Sequence, residues 1–219
     1  MQATYAENPL AAEVARILDA VPVVPVLTLP DEAHAVALAR ALVAGGLTVL
    51  EITLRTEAAL RSIRGIIASV PGAVVGVGTV LTPDQMRAAK EAGAAFAVSP
   101  GASPRLLDAA EAEGLPFLPG AATASEAMAL LERGYTRQKL FPAEAAGGIA
   151  LLKGLADPLP QVRFCPTGGI DAATAPAYLA LPNVVCVGGS WVAPKAAVLE
   201  GDFARIETLA RAAGALRVG

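Results

Sequence analysis

The stretch VLEITLRTEAALRSIRGIIASVPGAVVGVGTV, residues 49–80, decides the fold. It opens with a run rich in β-branched residues, VLEITL, and closes with a second run, VVGVGTV from residue 74. The segment between them has the periodicity of a helix. A strand, a single helix and a second strand make a right-handed βαβ unit, in which the two strands pair in parallel.

The same pattern repeats along the whole chain. Further β-branched runs begin near residues 23, 96, 117, 138, 163 and 184, which gives eight runs in 219 residues. They recur every 21 to 26 residues or so, with alanine-rich helical segments between them. Helix starts are marked by Ser103-Pro104 and by two capping boxes, at 82–85 and 123–126. Helix ends are expected at Gly45, Gly93, Gly114 and Gly134.

Eight such units predict a single-domain (β/α)8 TIM barrel that spans residues 1–219. We expect the extra helical segment near residues 9–20 to close the bottom of the barrel. A doubly wound open sheet is the alternative. However, the first strand-to-helix junction, TLPDEA at 28–33, lacks the GxGxxG pattern that dinucleotide binding needs.

Composition excludes several classes of function. With 17 basic and 20 acidic residues and 4% aromatic residues, the chain has no basic or stacking surface for nucleic acid. MQATYAENPL at the N-terminus has no secretory pattern, and no apolar run reaches the roughly 18–20 residues of a membrane span. We therefore expect a cytoplasmic protein. Cys165 and Cys186 lie in apolar runs and read as buried thiols, with a disulfide or a catalytic thiol as alternatives.

Strand alternation predicts a group of polar side chains inside the barrel. Along VLEITLRT, the apolar Ile52 and Leu54 share one face, so Glu51, Thr53 and Arg55 point inward. The same alternation directs Lys139 and Phe141 inward on the sixth strand, with Leu140 outward; on the third strand it directs Val75, Val77 and Thr79 inward. Internal ion pairs roughly break even in stability, so chemistry is the favoured explanation, and a space-filling Glu51–Lys139 salt bridge is the alternative.

Lysine, glutamate and arginine together suit one kind of reaction. Burial lowers the pKa of a lysine, and a nearby cation acts in the same direction, so that the neutral amine can attack a carbonyl and form a Schiff base. A carboxylate such as that of Glu51 can carry the protons, and Arg55 offers a fork for a substrate carboxylate. Lys139 is therefore expected to bind a 2-oxo acid.

Paired glycines follow the last two strands. Gly168-Gly169 and Gly188-Gly189 lie in the loops where barrels most often bind phosphate, although each pair could also be a tight turn. The expected ligand is a phosphorylated chain with its oxo-acid end at Lys139. His34 is the sole histidine, so neither a metal site nor a Ser-His-Asp triad is expected.

Seven segments resemble those of a known family, KDPG aldolase, also called 4-hydroxy-2-oxoglutarate aldolase. The segments are EITLRT (51–56), VGVGTVLTPDQ (75–85), AVSPG (97–101), FLPGAAT (117–123), KLFPAE (139–144), RFCPTGGI (163–170) and VGGSW (187–191). The resemblance implies a class I aldolase on a (β/α)8 barrel, usually a homotrimer, that needs no cofactor or metal. Such enzymes cleave 2-dehydro-3-deoxy-6-phosphogluconate to pyruvate and glyceraldehyde 3-phosphate in the Entner–Doudoroff pathway.

The resemblance also implies a role for each matching residue. Lys139 would form the Schiff base and Glu51 would transfer protons, while Thr167 would influence stereochemistry. The pyruvate end would be bound or lined by Arg55, Thr79, Pro100 and Phe141, and the phosphate by Gly168, Gly169, Gly189 and Ser190. Open alternatives are an aldolase of this family for 4-hydroxy-2-oxoglutarate or a galactonate-derived substrate, a sugar-phosphate isomerase or epimerase, and a non-catalytic phosphosugar-binding barrel.

Overall fold

A computed structural model describes residues 8–216. Most of the segment on which the signal-peptide expectation rested, and both ends of the predicted 1–219 domain, lie outside the described residues. None of the helices within 8–216 has the length and apolar character required to span a bilayer.

Each of the eight predicted runs contains strand residues. The strands within the described residues are β1 (Val23–Leu27), β2 (Val49–Thr53), β3 (Val74–Gly78), β4 (Phe96–Val98), β5 (Phe117–Leu118), β6 (Gly120–Ala121), β7 (Arg137–Leu140), β8 (Arg163–Pro166) and β9 (Val187–Gly189). The fifth run forms two strands, β5 and β6, because Pro119 between them has no backbone N–H to donate to a ladder.

Helices alternate with these strands. Their bounds are α1 (Pro9–Leu18), α2 (Ala35–Ala44), α3 (Ala59–Ser69), α4 (Pro83–Glu91), α5 (Pro104–Glu113), α6 (Ala124–Glu132), α7 (Ala143–Ala146), α8 (Gly148–Ala156), α9 (Ala175–Leu179), α10 (Lys195–Glu200) and α11 (Phe203–Gly214). The predicted N-caps are confirmed: Thr82, Ser103 and Thr123 each accept a hydrogen bond from the third residue that follows. Gly114 ends α5 in the left-handed conformation.

All the strand pairs are parallel. One sheet has the order β5-β4-β3-β2-β1-β9 and a second has the order β6-β7-β8. Single bridges from Phe164 to Val184 and from Thr167 to Gly188 link β8 to the β9 segment. The result is an α/β fold with a curled parallel sheet, as the repeated βαβ units predict.

Two clusters of buried residues divide the core. An outer cluster, represented by Leu50 and Ile52, joins one face of the strands to the helices. An inner cluster comprises Val14, Leu18, Val21, Val24, Val49, Phe96, Val98, Leu118, Cys165 and Cys186. Val14 and Leu18 belong to α1, so this helix packs against the inner face of the strands.

The prediction that Val75 and Val77 of β3 point inward is wrong. Val75 and Val77 belong to the outer cluster, and the alternating glycines, Gly76 and Gly78, lie on the inner face. The pairing of β3 with β2 sets this orientation, since Gly76 lies beside the inward Glu51 and neighbouring residues of a parallel pair point the same way. The inner face of β3 therefore carries one side chain, that of Val74, and its two glycines admit the Phe96 ring and the Glu51 carboxylate.

Candidate active site

Lys139 and Glu51 form a buried ion pair across the interior. Lys139 is in β7 and Glu51 in β2, and the two residues are 5% and 3% exposed. The Lys139 Nζ atom lies 3.0 Å from Glu51 Oε1 and 3.3 Å from Oε2. The sequence prediction that these two side chains point inward and meet is confirmed. Both charges are out of water, so each relies on the other for compensation.

Glycines in β3 make room for the Glu51 carboxylate. A methyl group at Gly78 would lie 2.7 Å from Glu51 Cγ and 2.8 Å from Cδ, closer than real Cβ atoms approach. One at Gly76 would meet the ring of Phe96. Sequence reasoning missed these two positions, although the V-G-V-G pattern of β3 was a usable signal, because glycine inside a strand often marks a close approach.

Phe141 and Cys165 are the neighbours of Lys139. The lysine Nζ lies 5.4 Å from the centroid of the Phe141 ring, within range of a cation–π contact. Cys165 is the ladder partner of Lys139 on β8 and is buried and free, as is Cys186. A hydrogen bond from Cys186 lowers the pKa of the Cys165 thiol, and the charge of Lys139 acts in the same direction.

A third glycine, Gly120, lets the turn that carries Pro100 pack close to this site. Gly120 is the ladder partner of Lys139 on β6, and a methyl group there would lie 2.6 Å from the Gly101 nitrogen and against the Pro100 carbonyl group. The turn after β4 therefore packs directly on the strand next to the lysine. Pro100 itself is half-buried beside the predicted pyruvate end of the site.

Arg55 and Thr79 lie just past the ends of adjacent strands. Arg55 is in the turn after β2 and is exposed, and it lies beyond Thr53, where the strand and its alternation end. Among residues 8–216, no hydrogen bond or ion pair engages its side chain. Thr79 follows β3 with φ of 60°, the one positive value among the non-glycine residues described. A β-branched residue rarely adopts this conformation, and such strain concentrates at functional sites.

Both glycine loops lie side by side next to Phe141. Thr167 is buried and bridges to Gly188, where a methyl group would lie 2.9 Å from Thr167 Cγ2. Gly168 and Gly169 have positive φ values of 103° and 84°, and a methyl group at Gly168 would lie 3.4 Å from the Phe141 ring. The loop after β8 thus begins next to the side chain that contacts the Lys139 amine.

The two loops expose groups suited to an anion. Within the described part of the chain, the backbone amides of Gly168 and Gly169 donate no hydrogen bond. Ser190, after β9, is exposed, and Trp191 lies over Gly189, where a methyl group would be 2.7 Å from the indole Cη2 atom. Unpaired amides of glycines with positive φ are the donors that bind phosphate in proteins.

A cavity of about 640 Å³ lies beside this site between the segments after β1 and β9. Of the predicted site residues, it is lined by Ser190 alone; the rest of its wall is mostly apolar, including Leu29, Trp191 and Val198. The ion pair does not contribute to it. The cavity therefore adjoins the predicted phosphate end and does not reach the Lys139–Glu51 pair.

Comparisons with known proteins agree on one family. The sequence model of the KDPG and KHG aldolases matches residues 14–209. The 2-dehydro-3-deoxy-phosphogluconate aldolase of Pseudoalteromonas atlantica is 51% identical over 198 residues, 90% of this chain and 92% of that protein. The KHG/KDPG aldolase of Escherichia coli K12 is 52% identical over 197 residues, with the same two coverages.

Solved structures agree as well. The 2-keto-3-deoxy-6-phosphogluconate aldolase of Zymomonas mobilis, crystallised with 3-phosphoglycerate, superposes with a TM-score of 0.88 at 47% identity, over 97% of this chain and 98% of that one. The KDPG aldolase of Legionella pneumophila gives a TM-score of 0.90 at 43% identity, over 95% and 99% of the two chains. In that crystal, pyruvate is captured as a covalent carbinolamine intermediate.

Proposed function

The chain belongs to the KDPG and KHG aldolase family, and on that premise we propose how its site works. It is a carbon–carbon lyase of the Schiff-base class that cleaves 2-dehydro-3-deoxy-6-phosphogluconate to pyruvate and glyceraldehyde 3-phosphate, a reaction of the Entner–Doudoroff pathway. The observation that carries the proposal is the buried contact of 3.0 Å between Lys139 Nζ and Glu51 Oε1.

Lys139 is the nucleophile and Glu51 the proton carrier. Transfer of a proton from the ammonium group to the carboxylate turns an ion pair into a neutral pair without changing the net charge buried in the interior. The cost of that transfer is therefore small compared with exposing or neutralising one lone charge there. The free amine attacks the C2 ketone, and Glu51, 3.0 Å away, is within reach to return the proton as water is lost.

The iminium ion then breaks the C3–C4 bond. Glu51, directly or through one water molecule, removes the proton of the C4 hydroxyl group, and the bond electrons move into the iminium ion to give an enamine. Glyceraldehyde 3-phosphate leaves as the aldehyde. Protonation of the enamine at C3 and hydrolysis of the imine release pyruvate and restore the Lys139 amine.

Arg55 and Thr79 are proposed to bind the carboxylate next to the ketone. Both follow adjacent parallel strands at the end where β2 and β3 finish, which is the end that holds active sites in this fold. Arg55 is exposed and has a guanidinium group available to a carboxylate. Phe141 and Pro100 would line the apolar side of the pyruvate end.

The phosphate is proposed to bind at Gly168, Gly169, Gly189 and Ser190. The unpaired amides of the first two glycines support this placement. These loops favour the phosphorylated substrate over 4-hydroxy-2-oxoglutarate, which has no phosphate. Thr167, buried between the two loops and the strand of Lys139, is proposed to contact the C4 region and to influence stereochemistry there.

We further propose a closed single-domain (β/α)8 barrel, with α1 covering its bottom. The two bridges between β8 and the β9 segment and the pairing of β9 with β1 support closure, and the α1 residues in the inner cluster support the cover. Homotrimeric assembly is proposed from the family resemblance alone, and a cytoplasmic location from the sequence pattern; chromatography with light scattering tests the assembly.

Reductive trapping tests the function. We expect incubation with pyruvate and borohydride to add mass to the Lys139 peptide, and we expect Lys139→Met to abolish both the adduct and cleavage while the protein remains folded. Lys153→Met, at an exposed site on α8, is the matched control and should behave like the wild type. An adduct on other lysines, or cleavage that survives Lys139→Met, would contradict the proposal.

A further inference from the structure

Glu144 and Tyr178 form a hydrogen-bonded pair behind the phosphate loop. The Tyr178 hydroxyl, in α9, donates to Glu144 Oε1, in α7. Tyr178 is 0% exposed, whereas Glu144 is exposed. A methyl group at Gly148 would lie 2.8 Å from the Tyr178 hydroxyl, so the start of α8 also leaves room for this contact. The buried Tyr178 hydroxyl therefore holds the Glu144 carboxylate toward α9.

The stem of Glu144 packs directly against the loop. A methyl group at Gly169 would lie 2.5 Å from Glu144 Cγ and 2.6 Å from its Cβ atom. The backbone is tied as well, because the Glu144 amide donates to the Gly168 carbonyl at 3.1 Å and the Ala143 amide to the Thr167 carbonyl at 2.8 Å. Glu144 is thus seated against the segment that carries the unpaired amides.

At that position the negative charge of Glu144 would repel an anion bound at the loop. A flexible glutamate here could rotate its carboxylate to the Gly168 and Gly169 amides, and it would then occupy or repel the anion site with its own negative charge. The hydrogen bond to Tyr178 draws the carboxylate toward α9 instead. Burial raises the pKa of Tyr178, as does the bond to Glu144, so the hydroxyl remains a donor over the working pH range of a protein.

We propose that Tyr178 is a positioning residue that holds the Glu144 carboxylate away from the phosphate-binding amides and thereby sets the affinity for the phosphorylated end of the substrate. This inference rests on the proposed function, because it assumes that phosphate binds at Gly168 and Gly169. Neither residue of the pair reaches the reacting atoms. Its effect falls on KM for the phosphorylated substrate and leaves Schiff-base formation with pyruvate unchanged.

Four variants test the proposal. Tyr178→Phe frees the charged carboxylate and is expected to raise KM for 2-dehydro-3-deoxy-6-phosphogluconate about three- to tenfold. A unit charge about 6 Å from the phosphate weakens binding about tenfold at an effective dielectric of about 40, and the carboxylate held by Tyr178 already contributes part of that effect. Glu144→Gln keeps the acceptor for Tyr178 and should leave KM at or below the wild-type value. The double variant Glu144→Gln with Tyr178→Phe should recover KM to within about twofold. Tyr135→Phe is the matched control, because it removes a second fully buried tyrosine hydroxyl that is not bonded to Glu144.

Direct binding gives a second measurement. Trp191 is the sole tryptophan and lies over Gly189, so its fluorescence can follow a titration with inorganic phosphate. The dissociation constant should rise by the same factor as KM in Tyr178→Phe and recover in the double variant. If Tyr178→Phe fails to fold, Glu144→Asp provides the test, since it keeps the core intact, retains the charge and withdraws it from the tyrosine; it should raise KM in the same way.

The outcomes separate the inference from the function. Unchanged KM and phosphate affinity in Tyr178→Phe, or a loss that Glu144→Gln does not reverse, would overturn the inference, since the pair would then be structural support only. Pyruvate trapping on Lys139 runs in parallel in each variant. If the wild type itself is not trapped, the proposed function fails and the inference with it; if trapping is equal in all variants, only the phosphate results decide.

Discussion

Replacing Gly78 by alanine is expected to slow catalysis through one displaced carboxylate. The added methyl group would lie 2.7 Å from Glu51 Cγ, whereas an ordinary carbon contact is about 3.5 Å, so the side chain must move by roughly 0.8 Å. Gly78 does not have a positive φ, so alanine fits the backbone and the effect is steric. The movement disturbs the contact of 3.0 Å between Glu51 and Lys139.

The magnitude follows from the sensitivity of proton transfer to position. A misplacement of about 1 Å can reduce the rate about 100-fold, so we expect kcat to fall 10- to 100-fold in Gly78→Ala. Overpacking costs about 1–3 kcal/mol, and the reduced freedom of the unfolded chain returns about 0.4–1 kcal/mol of this. The melting temperature should therefore fall by only a few degrees, and the protein should remain folded at 25 °C.

Gly76→Ala supplies the matched control. Gly76 is on the same strand and the same inner face, but its added methyl group meets the Phe96 ring instead of the carboxylate. Steady-state kinetics and thermal unfolding of the two variants should show comparable destabilisation and a drop in kcat confined to Gly78→Ala. A Gly78→Ala enzyme with wild-type kcat, or two variants slowed equally, would refute the reasoning that Gly78 reserves space for the proton carrier.

Three further predictions test the site and its surroundings. Glu51→Gln should slow turnover but still permit some borohydride trapping on Lys139; unchanged turnover would contradict the role of Glu51. Gln138→Met should reduce the free energy of unfolding in urea by about 2–4 kcal/mol with little change in kcat, because the buried Gln138 amide donates to two backbone carbonyls that would lose their donor. Hydrogen bonds from the Thr174 backbone and side chain lower the pKa of Asp171, so this carboxylate stabilises the fold above its unfolded pKa of about 3.8 and loses that effect as pH falls through the lower folded pKa. Asp171→Ala should therefore have a smaller free energy of unfolding than the wild type at pH 7, and the two values should converge in acid. A difference in stability that stays constant with pH would contradict this.

The alternation of side chains along a strand predicted which residues point inward on β2 and β7, but it gave the wrong inner face for β3. It correctly paired Glu51 with Lys139 because both residues lie inside their strands, β2 and β7, where the alternation of side chains holds. It failed for β3, where both faces read as apolar and only the space needed by Glu51 decides which residues point inward. That constraint comes from a neighbouring strand, and its one trace in the sequence of β3 is the pair of glycines, Gly76 and Gly78.

A second limit of the prediction concerns residues that lie beyond the end of a strand, where the alternation of side chains no longer holds. Arg55 and Thr79 were assigned directions by counting on from the strand, but β2 ends at Thr53 and β3 ends at Gly78. Arg55 enters a turn and is exposed, and Thr79 has a positive φ, so the alternation of an extended strand no longer applies to either residue. The helix caps, in contrast, were predictable because a cap depends on residues three positions apart.

The interior of this molecule is arranged at a cost to its stability. A buried ion pair contributes about as much as the apolar residues it replaces, or less, and each strand glycine is unfavourable by about 0.5–1 kcal/mol relative to alanine. Gly76, Gly78 and Gly120 all lie on strands around the Lys139–Glu51 pair, and a methyl group at any of them would collide with a side chain or loop of the site. A salt bridge that only filled space would be replaced by valine or leucine without needing those glycines. The three glycines therefore let the Glu51 carboxylate, the Phe96 ring and the turn after β4 pack close around the pair, which favours a built reaction site over a salt bridge that only fills space.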